Sequence, residues 1–347
     1  MNETTDRISS KTGKQAFLLG LLGAVFFSFA YIFNNLMSNQ GGSWVWTACL
    51  RYLLIFPILL VVVLVRRTLG KTLAVLKKSP GKWVLWSTVG FGGFFVPITF
   101  ASAYGPSWLV SGTYQFTIFA GALLTPLFWV VKQTPQGPVR ERGKIPLRLF
   151  PAFAVILIGI FLLQIEHAQN TDLSSVFLFS LPVLISAFAY PLGNRKLMEL
   201  CGDQLSVIER VFAMSLCSLP FFIIIGIIAG ATTGAPQMGQ IVQSLIVAVA
   251  SGIGGSLVFF KATQLVRRSP HWLAFVESTQ SAEIPVCLVA GVLLLGNPLP
   301  GAMGALGLVL IIVEMVFNSI LQSRLPGGAE APQKPPVLSE DATQGAP

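Results

Sequence analysis

The chain alternates between long apolar runs and short polar connections along most of its length. Ten apolar runs can be traced, each of roughly 20 residues, the length that crosses the hydrocarbon core of a bilayer. Their approximate bounds are 15–35, 44–65, 83–104, 107–131, 147–165, 173–193, 206–230, 240–264, 271–295 and 301–322. Because backbone polar groups in lipid must be satisfied within their own segment, we predict an all-α membrane protein with ten transmembrane helices.

The composition supports membrane insertion. Hydrophobic residues make up 53% of the 347 residues and charged residues only 11%, whereas a soluble domain carries about 25% charge. No small-residue cleavage site follows the first apolar run, so we interpret this run as a span and not as a signal peptide. A soluble globular protein is therefore excluded.

The positive charges lie in alternate connections. Lys and Arg are concentrated in 66–82 and 132–148, in the pairs at 195–196 and 267–268, and in the two tails, while the intervening connections contain none. Basic residues on every second connection are typical of cytoplasmic loops. This distribution of Lys and Arg therefore predicts a topology with both termini in the cytoplasm. With the positive charge distributed in this way, the net charge of +9 does not indicate a nucleic-acid partner.

One short sequence motif occurs twice in the chain. The stretch FAYIFNNLM at Phe29–Met37 resembles FAYPLGNRKLM at Phe188–Met198, 159 residues later. The same shift places Arg51 on Arg210, and slightly larger shifts place the motifs GFGG and PSWL on GIGG and PHWL. Four matches in the same order indicate an internal repeat.

The repeat predicts the domain organisation. We expect a first five-helix repeat at 15–165 and a second at 173–322, with disordered cytoplasmic tails at 1–14 and 323–347. Because five spans is an odd number, the second repeat enters the membrane from the opposite side. Inverted repeats are typical of secondary transporters, which bind their substrate near the midplane between the repeats.

The repeat also brings a resemblance to a known family. Two five-helix halves, an arginine early in spans two and seven, and short non-cytoplasmic turns resemble the drug/metabolite transporter superfamily, with its two EamA-like repeats. The stretch Phe259–Gly301 (FFKATQLVRRSPHWLAFVESTQSAEIPVCLVAGVLLLGNPLPG) is similar to the multidrug resistance efflux branch. The resemblance, over about 15–322, implies a carrier of the inner membrane that is driven by an ion gradient or by exchange. Its implied substrates range from lipophilic cations to amino acids, nucleobases, nucleotide sugars and lipid-linked sugars.

The ninth run carries the densest polar set, ESTQSAE, at 277–283. On an α-helix of about 3.6 residues per turn, Glu277, Gln280 and Glu283 share one broad face, which we expect to line a central cavity. Because desolvation favours the neutral form of a carboxyl group, such a glutamate could bind a proton on one side of the membrane and release it on the other. It could also bind a cationic substrate. The alternative is that a glutamate here pairs with a basic residue of another span.

The first and fourth runs lack acidic residues. The small multidrug resistance pumps of the superfamily carry their essential glutamate in the first helix, but the first run here has none. The fourth run, the repeat partner of the ninth, has Tyr114 and Gln115 at its polar centre. Any proton coupling should therefore be asymmetric and reside in the second repeat.

Three basic residues are candidates for gating or charge pairing: Arg51, Arg210 and Lys261. Ionisable residues in spans are costly and often functional. The alternative is that their long side chains reach the membrane interface. The tenth run adds Glu314, which we interpret as facing another helix or the partner of a homodimer.

Aromatic and amide residues complete the candidate site. Tyr31 and Tyr190 are repeat-related. Together with Tyr114, Trp108 and Trp272 they could form an aromatic lining for flat or cationic substrates or aromatic belts at the membrane interfaces. We interpret the repeat-related Asn35 and Asn194 as hydrogen-bonding between helices.

Several chemistries are not indicated. The four cysteines are scattered and neither histidine has ligand-like neighbours, so we predict no metal site and no cofactor. The glycine-rich motifs GFGG and GIGG lack the lysine of a phosphate-binding loop, which argues against an ATP-driven pump. Paired membrane aspartates and an HExxH motif are missing, so an intramembrane enzyme is not expected.

These features predict an antiporter that exports drugs or small metabolites by alternating access. Its expected partners are a small-molecule substrate such as a lipophilic cation, the proton as coupling ion, and the lipid bilayer. The alternative is a flippase or exchanger of lipid-linked sugars or anionic metabolites, with Arg51, Arg210 and Lys261 as anion contacts. The sequence leaves open whether the protein forms a homodimer.

Overall fold

The computed structural model describes residues 10–134, 137–145, 150–170, 173–202, 204–266, 276 and 278–324. Two predicted site residues, Glu277 and Trp272, lie outside these described residues, as do 1–9 and 325–347 of the predicted tails. The first helix begins at Ser10 and the last ends at Arg324.

The first half of the described chain contains seven helices and a hairpin. The helices are α1 (Ser10–Asn39), α2 (Trp44–Val65), α3 (Leu69–Lys77), α4 (Pro80–Ser87), α5 (Gly93–Ser102), α6 (Ser107–Tyr114) and α7 (Phe116–Leu123), and a π-helical segment, Thr88–Gly92, joins α4 to α5. A short 3₁₀ turn, Thr125–Leu127, leads into the antiparallel strands β1 (Trp129–Thr134) and β2 (Gly137–Arg142).

The second part of the chain begins with α8 (Phe150–Asn170), the last predicted span of the first repeat. It continues with α9 (Leu173–Cys201), α10 (Val207–Thr233), α11 (Met238–Val247), the π-helical segment Ala248–Gly255, α12 (Ser256–Val266), a 3₁₀ turn (Ser278–Ala282), α13 (Glu283–Leu295) and α14 (Ala302–Arg324). Helix α10 has a well-defined start, because Ser206 and Glu209 form a capping box there and Glu209 also pairs with Lys71 at 3.2 Å.

The predicted membrane class is confirmed. Within the described residues, six helices or helix pairs are long and apolar enough to cross a bilayer: Lys11–Asn39, Trp44–Val65, Pro80–Ser102, Val176–Cys201, Val207–Thr233 and Met238–Thr263. Three shorter apolar helices, Phe153–Gln169, Thr279–Leu295 and Ala302–Phe317, cover further predicted runs. The protein is therefore a predominantly helical, multi-pass membrane protein.

The fourth predicted span differs from the prediction. A continuous helix over 107–131 is wrong, because the helix is interrupted at Gln115 and ends at Leu123. Pro126 cannot continue a helical hydrogen-bond ladder, and β1 and β2 then pair from Trp129 with Arg142 to Thr134 with Gly137. The predicted span was bounded by apolar composition alone and therefore extended into the residues that form this hairpin.

The glycine-rich motifs GFGG and GIGG both lie at π-helical segments that pack closely on other helices. GFGG spans the end of Thr88–Gly92, and GIGG ends the segment Ala248–Gly255. A Cβ atom added to Gly193 of α9 would lie 2.4 Å from the Cα of Gly90, so the two backbones cross in direct contact. The close approach explains why Gly90 and Gly193 are glycine, since small residues let helices pack closely.

Candidate substrate-binding cavity

A cavity of about 350 Å³ lies between the helices of the two halves. Its walls come from α1, α2, α5, α6, α7, α9, α10 and α12, from both π-helical segments, from the 3₁₀ turn Ser278–Ala282 and from the start of α13. This volume lies within the range of small-molecule sites, which are roughly 300–1,000 Å³. A pocket built from so many helices is suited to hold a small molecule inside the bundle.

Aromatic rings form much of the cavity wall. The rings of Tyr31 and Tyr114 have centroids 6.4 Å apart, Tyr114 and Phe94 5.5 Å, and Phe94 and Tyr190 5.0 Å. The structure thus places three of the predicted aromatic residues, Tyr31, Tyr114 and Tyr190, on one connected surface. Trp108 is buried outside the cavity and donates to the carbonyl of Pro298 at 3.2 Å.

Glu283 is the acidic residue of this cavity. It begins α13 and is buried with 7% of its surface exposed, and it lines the cavity. Its carboxylate makes no hydrogen bond or ion pair with another described residue. It lies within electrostatic range of Tyr31, Tyr114 and Tyr190. Glu314 of α14 is also buried, but it is not among the residues that line the cavity.

Arg51 of α2 provides a positive charge to the same cavity. Its Nη2 donates to the hydroxyl of Ser251 at 3.3 Å, and its Cζ lies 4.4 Å from the ring centroid of Phe95. The buried Nε has no hydrogen-bond partner within the described chain. Arg51 is only 8% exposed, so its charge lies inside the bundle and not at the interface.

The other two predicted basic residues differ from each other. Arg210 of α10 lines the cavity, whereas Lys261 of α12 is exposed and is not part of the lining. Arg195 of α9 is a lining residue that sequence reasoning missed; it also donates to the carbonyl of Gly121 at 2.8 Å. Its position directly after Asn194 of the repeated phrase was the available signal.

Two buried polar residues of the wall were also missed. Both amide atoms of Asn34 and the hydroxyl of Ser215 are buried without hydrogen-bond partners in the described chain. Asn35, next to Asn34, instead donates to the carbonyls of Ser102 and Gly105, both at 3.2 Å. The predicted helix-bonding role therefore holds for Asn35, while Asn34 faces the cavity.

Comparison with known proteins gives the family. Residues 14–324 match the family model described as "Putative multidrug resistance efflux transporter" (EmrE). The chain belongs to this family. It is 43% identical to the uncharacterized protein YjlA of Bacillus subtilis (strain 168) over 322 residues, which is 92% of this chain and 97% of YjlA. It is 44% identical to an uncharacterized 42.1 kDa protein of Shouchella clausii over 270 residues, 78% of this chain and 70% of that protein.

The ninth span of this multidrug resistance efflux family member is not one regular α-helix. Gln280 and Glu283 both line the cavity, as predicted for the polar face, but Ser278–Ala282 form a 3₁₀ turn before α13 begins. The α-helical wheel over 277–283 is therefore the wrong geometry, although two of its three members reach the same place. Gln115 also lines the cavity, at the break between α6 and α7, where its Nε2 donates to the carbonyl of Ser111 at 3.2 Å.

Proposed function

We propose that this protein is a secondary active transporter that exports small molecules across the cell membrane in exchange for protons. Membership of an efflux transporter family supports the export of small molecules. The observation that carries the coupling is Glu283, a buried carboxylate that faces the cavity without a hydrogen bond or ion pair to the rest of the described chain. Such a group is stable there when it is protonated or when it is paired with a cation.

Alternating access follows from an architecture of ten spans in two inverted repeats, with both termini in the cytoplasm. Helix packing supports this arrangement, because contacts occur in repeat-related pairs. Helix α1 packs on α12 as its counterpart α9 packs on α5. The other extensive contacts join repeat-related helices directly: α2 with α10, and α8 with α14. Each half can then adopt the conformation of the other half, and this change opens the cavity to the opposite side of the membrane.

The proposed cycle uses Glu283 as a shared site. With the cavity open to the cytoplasm, Glu283 releases its proton and binds the positive group of a substrate. With the cavity open to the outside, a proton displaces the substrate, because the neutral carboxyl no longer attracts a cation. Gln280 lies beside it in the wall, and Tyr31 and Tyr114 lie within electrostatic range.

A second candidate function is the exchange of an anionic metabolite or a lipid-linked sugar. The observation that favours it is the number of arginines in the lining, since Arg51, Arg195 and Arg210 all reach the cavity. Anionic groups are bound well by the planar, always charged guanidinium. In that case loss of Arg51 would abolish transport, while loss of Glu283 would leave it intact.

Efflux of a fluorescent lipophilic cation from pump-deficient bacteria tests the first function. Cells producing the wild-type protein should lose dye faster than cells with an empty vector, and a proton uncoupler should remove the difference. The Glu283→Gln variant should lose dye at the rate of the empty vector. The matched control is Glu199→Gln, which neutralises a glutamate outside the cavity that pairs with Lys196.

The outcome that contradicts the first function is dye efflux that persists in the Glu283→Gln variant or in the presence of the uncoupler. A Glu277→Gln variant belongs in the same experiment, because Glu277 is the other predicted acid of this span. If only Glu277→Gln stops efflux in normally inserted protein, the proton site is Glu277 and the role given to Glu283 is wrong.

A further inference from the structure

Among the charged residues that line the cavity, Arg51 and Glu283 have opposite charges and do not neutralise each other. Arg51 and Glu283 both line it, yet they form no ion pair, and each is buried. An uncompensated buried charge is costly, so each needs a partner of opposite sign, a proton or water. A substrate with only one charge satisfies one of the two.

The two charges lie at opposite ends of a row of aromatic rings. Glu283 lies within electrostatic range of Tyr114, whose ring packs on Phe94 at 5.5 Å, and Phe94 packs on Phe95 at 6.1 Å. The guanidinium of Arg51 lies over Phe95 at 4.4 Å. Neighbouring rings of the row are tilted by 51° and 49°, and the row forms an aromatic surface between the acidic end and the basic end.

Unpartnered polar atoms in the wall also indicate a ligand. Asn34 is 3% exposed, and both its amide nitrogen and its amide oxygen lack hydrogen bonds in the described chain. The hydroxyl of Ser215 and the Nε of Arg51 are likewise buried without partners there. Buried polar atoms are normally hydrogen-bonded, so several such atoms around one cavity mark a place where a polar ligand or water binds.

We propose that the cavity binds an aromatic zwitterion whose amine and acid groups are at opposite ends of a flat body. The acid group binds Arg51 at the end closed by Ser251, and the amine binds Glu283. The ring lies against Tyr114 and Phe94. This assignment rests on the proposed function only in taking the cavity as the substrate site, and it names one substrate class that uses both charges.

The physical advantage of a zwitterion is that it compensates both Arg51 and Glu283. Inside the helix bundle, a lone cation would pair with Glu283 and leave Arg51 uncompensated, while a lone anion would do the reverse. A zwitterion satisfies both charges at once and carries no net charge. Charge-assisted hydrogen bonds at both ends should therefore act together.

Binding to the purified, full-length protein in lipid nanodiscs tests this proposal. The probes are 4-(aminomethyl)benzoate, benzylamine and benzoate, which share one ring and carry both charges, the positive charge or the negative charge at neutral pH. Calorimetric titration should give the zwitterion a Kd at least about tenfold below that of either analogue, a difference of about 1.4 kcal/mol.

Variants assign each preference to its residue. Arg51→Gln should remove the preference of the site for the zwitterion over benzylamine, and Glu283→Gln should remove its preference over benzoate. The controls Lys82→Gln and Glu199→Gln neutralise charges outside the cavity lining and should keep both preferences. If one cavity variant loses both preferences, this indicates unfolding, which far-ultraviolet circular dichroism detects. The other cavity variant then tests the proposal.

The proposal is overturned if the zwitterion binds no better than benzylamine or benzoate, including the case in which none of the three binds. It is also overturned if the zwitterion binds best but both cavity variants fold and keep its two preferences. The measurement uses no proton gradient. A failure here with proton-dependent dye efflux intact rejects the substrate class alone, whereas charge-dependent binding without proton-dependent efflux rejects the coupling.

Discussion

Tyr31 and Tyr190, which are 159 residues apart in the chain, line one cavity, and each lies within electrostatic range of both Arg51 and Glu283. The two tyrosines come from the repeated phrase Phe-Ala-Tyr, one in α1 and the other in α9. The repeat thus places equivalent aromatic residues of both halves in the candidate site. Their electrostatic contact with both the acid and the base makes them candidates for direct contact with a substrate.

The tyrosines give a first prediction. Tyr31→Ala and Tyr190→Ala should each weaken the binding of an aromatic ligand by about 1 kcal/mol, because an aromatic wall is lost, whereas the matching Phe variants should bind nearly as tightly as the wild type. Calorimetric titration of the nanodisc-embedded protein measures this difference. Equal affinities of the Ala and Phe variants at both positions would show that the rings do not contact the ligand.

The crossing of α9 over the first π-helical segment gives a second prediction. Gly193→Ala should destabilise the protein by about 1–3 kcal/mol, since the new Cβ would lie 2.4 Å from the Cα and the nitrogen of Gly90. Gly81→Ala in α4 is the control, because nothing lies within 4 Å of its added Cβ. The fraction of monodisperse protein after heating in detergent should fall for Gly193→Ala alone; an unchanged profile would contradict the close contact.

A third prediction concerns the end of the bundle where α8 meets α14. The carboxylate of Glu166 accepts hydrogen bonds from the backbone N–H groups of Gly301 at 2.7 Å and Gly304 at 2.5 Å. A negative charge at the start of a helix is stabilising, so Glu166→Ala should lower stability by about 1–2 kcal/mol. Glu199→Ala, which removes a solvent-exposed pair with Lys196, should change stability less. Equal melting temperatures of Glu166→Ala and the wild type in the same detergent would refute this role.

The pH dependence of ligand binding gives a fourth prediction. Because a proton and a cation compete for Glu283 in the proposed cycle, benzylamine should bind the wild type more weakly as the pH falls. In Glu283→Gln this competition is removed, so affinity should be low and nearly independent of pH. Titrations across a pH series check both proteins. If the affinity for benzylamine depends on pH equally in the two proteins, the proton belongs to another group.

Much of the fold followed from the pattern of apolar residues, because lipid imposes long helices with few charges. The spans of α1, α2, α9 and α10 follow the predicted runs closely. The hairpin β1–β2 was missed because the apolar residues Trp129, Val130 and Val131 continue the run by composition alone, whereas the turn at Pro126 decides the backbone.

The candidate site could be predicted only in part. The repeat and the cost of charge in lipid identified Tyr31, Arg51 and Glu283, all of which lie on the cavity. An apolar run does not determine how a helix is rotated about its axis, so Asn34 and Arg195 were overlooked in favour of their neighbours. The 3₁₀ turn at Ser278–Ala282 likewise changes the geometry on which a helical wheel depends.

In the proposed cycle, Glu283 exchanges a proton for a positively charged group in the cavity. The most direct measurement is the proton release on binding of benzylamine to the purified protein in weakly buffered solution at a pH where the free site is protonated. We expect the wild type to release up to about one proton for each bound molecule and Glu283→Gln to release none. Equal release from both proteins, or binding to the wild type without any release across the pH range, would contradict it.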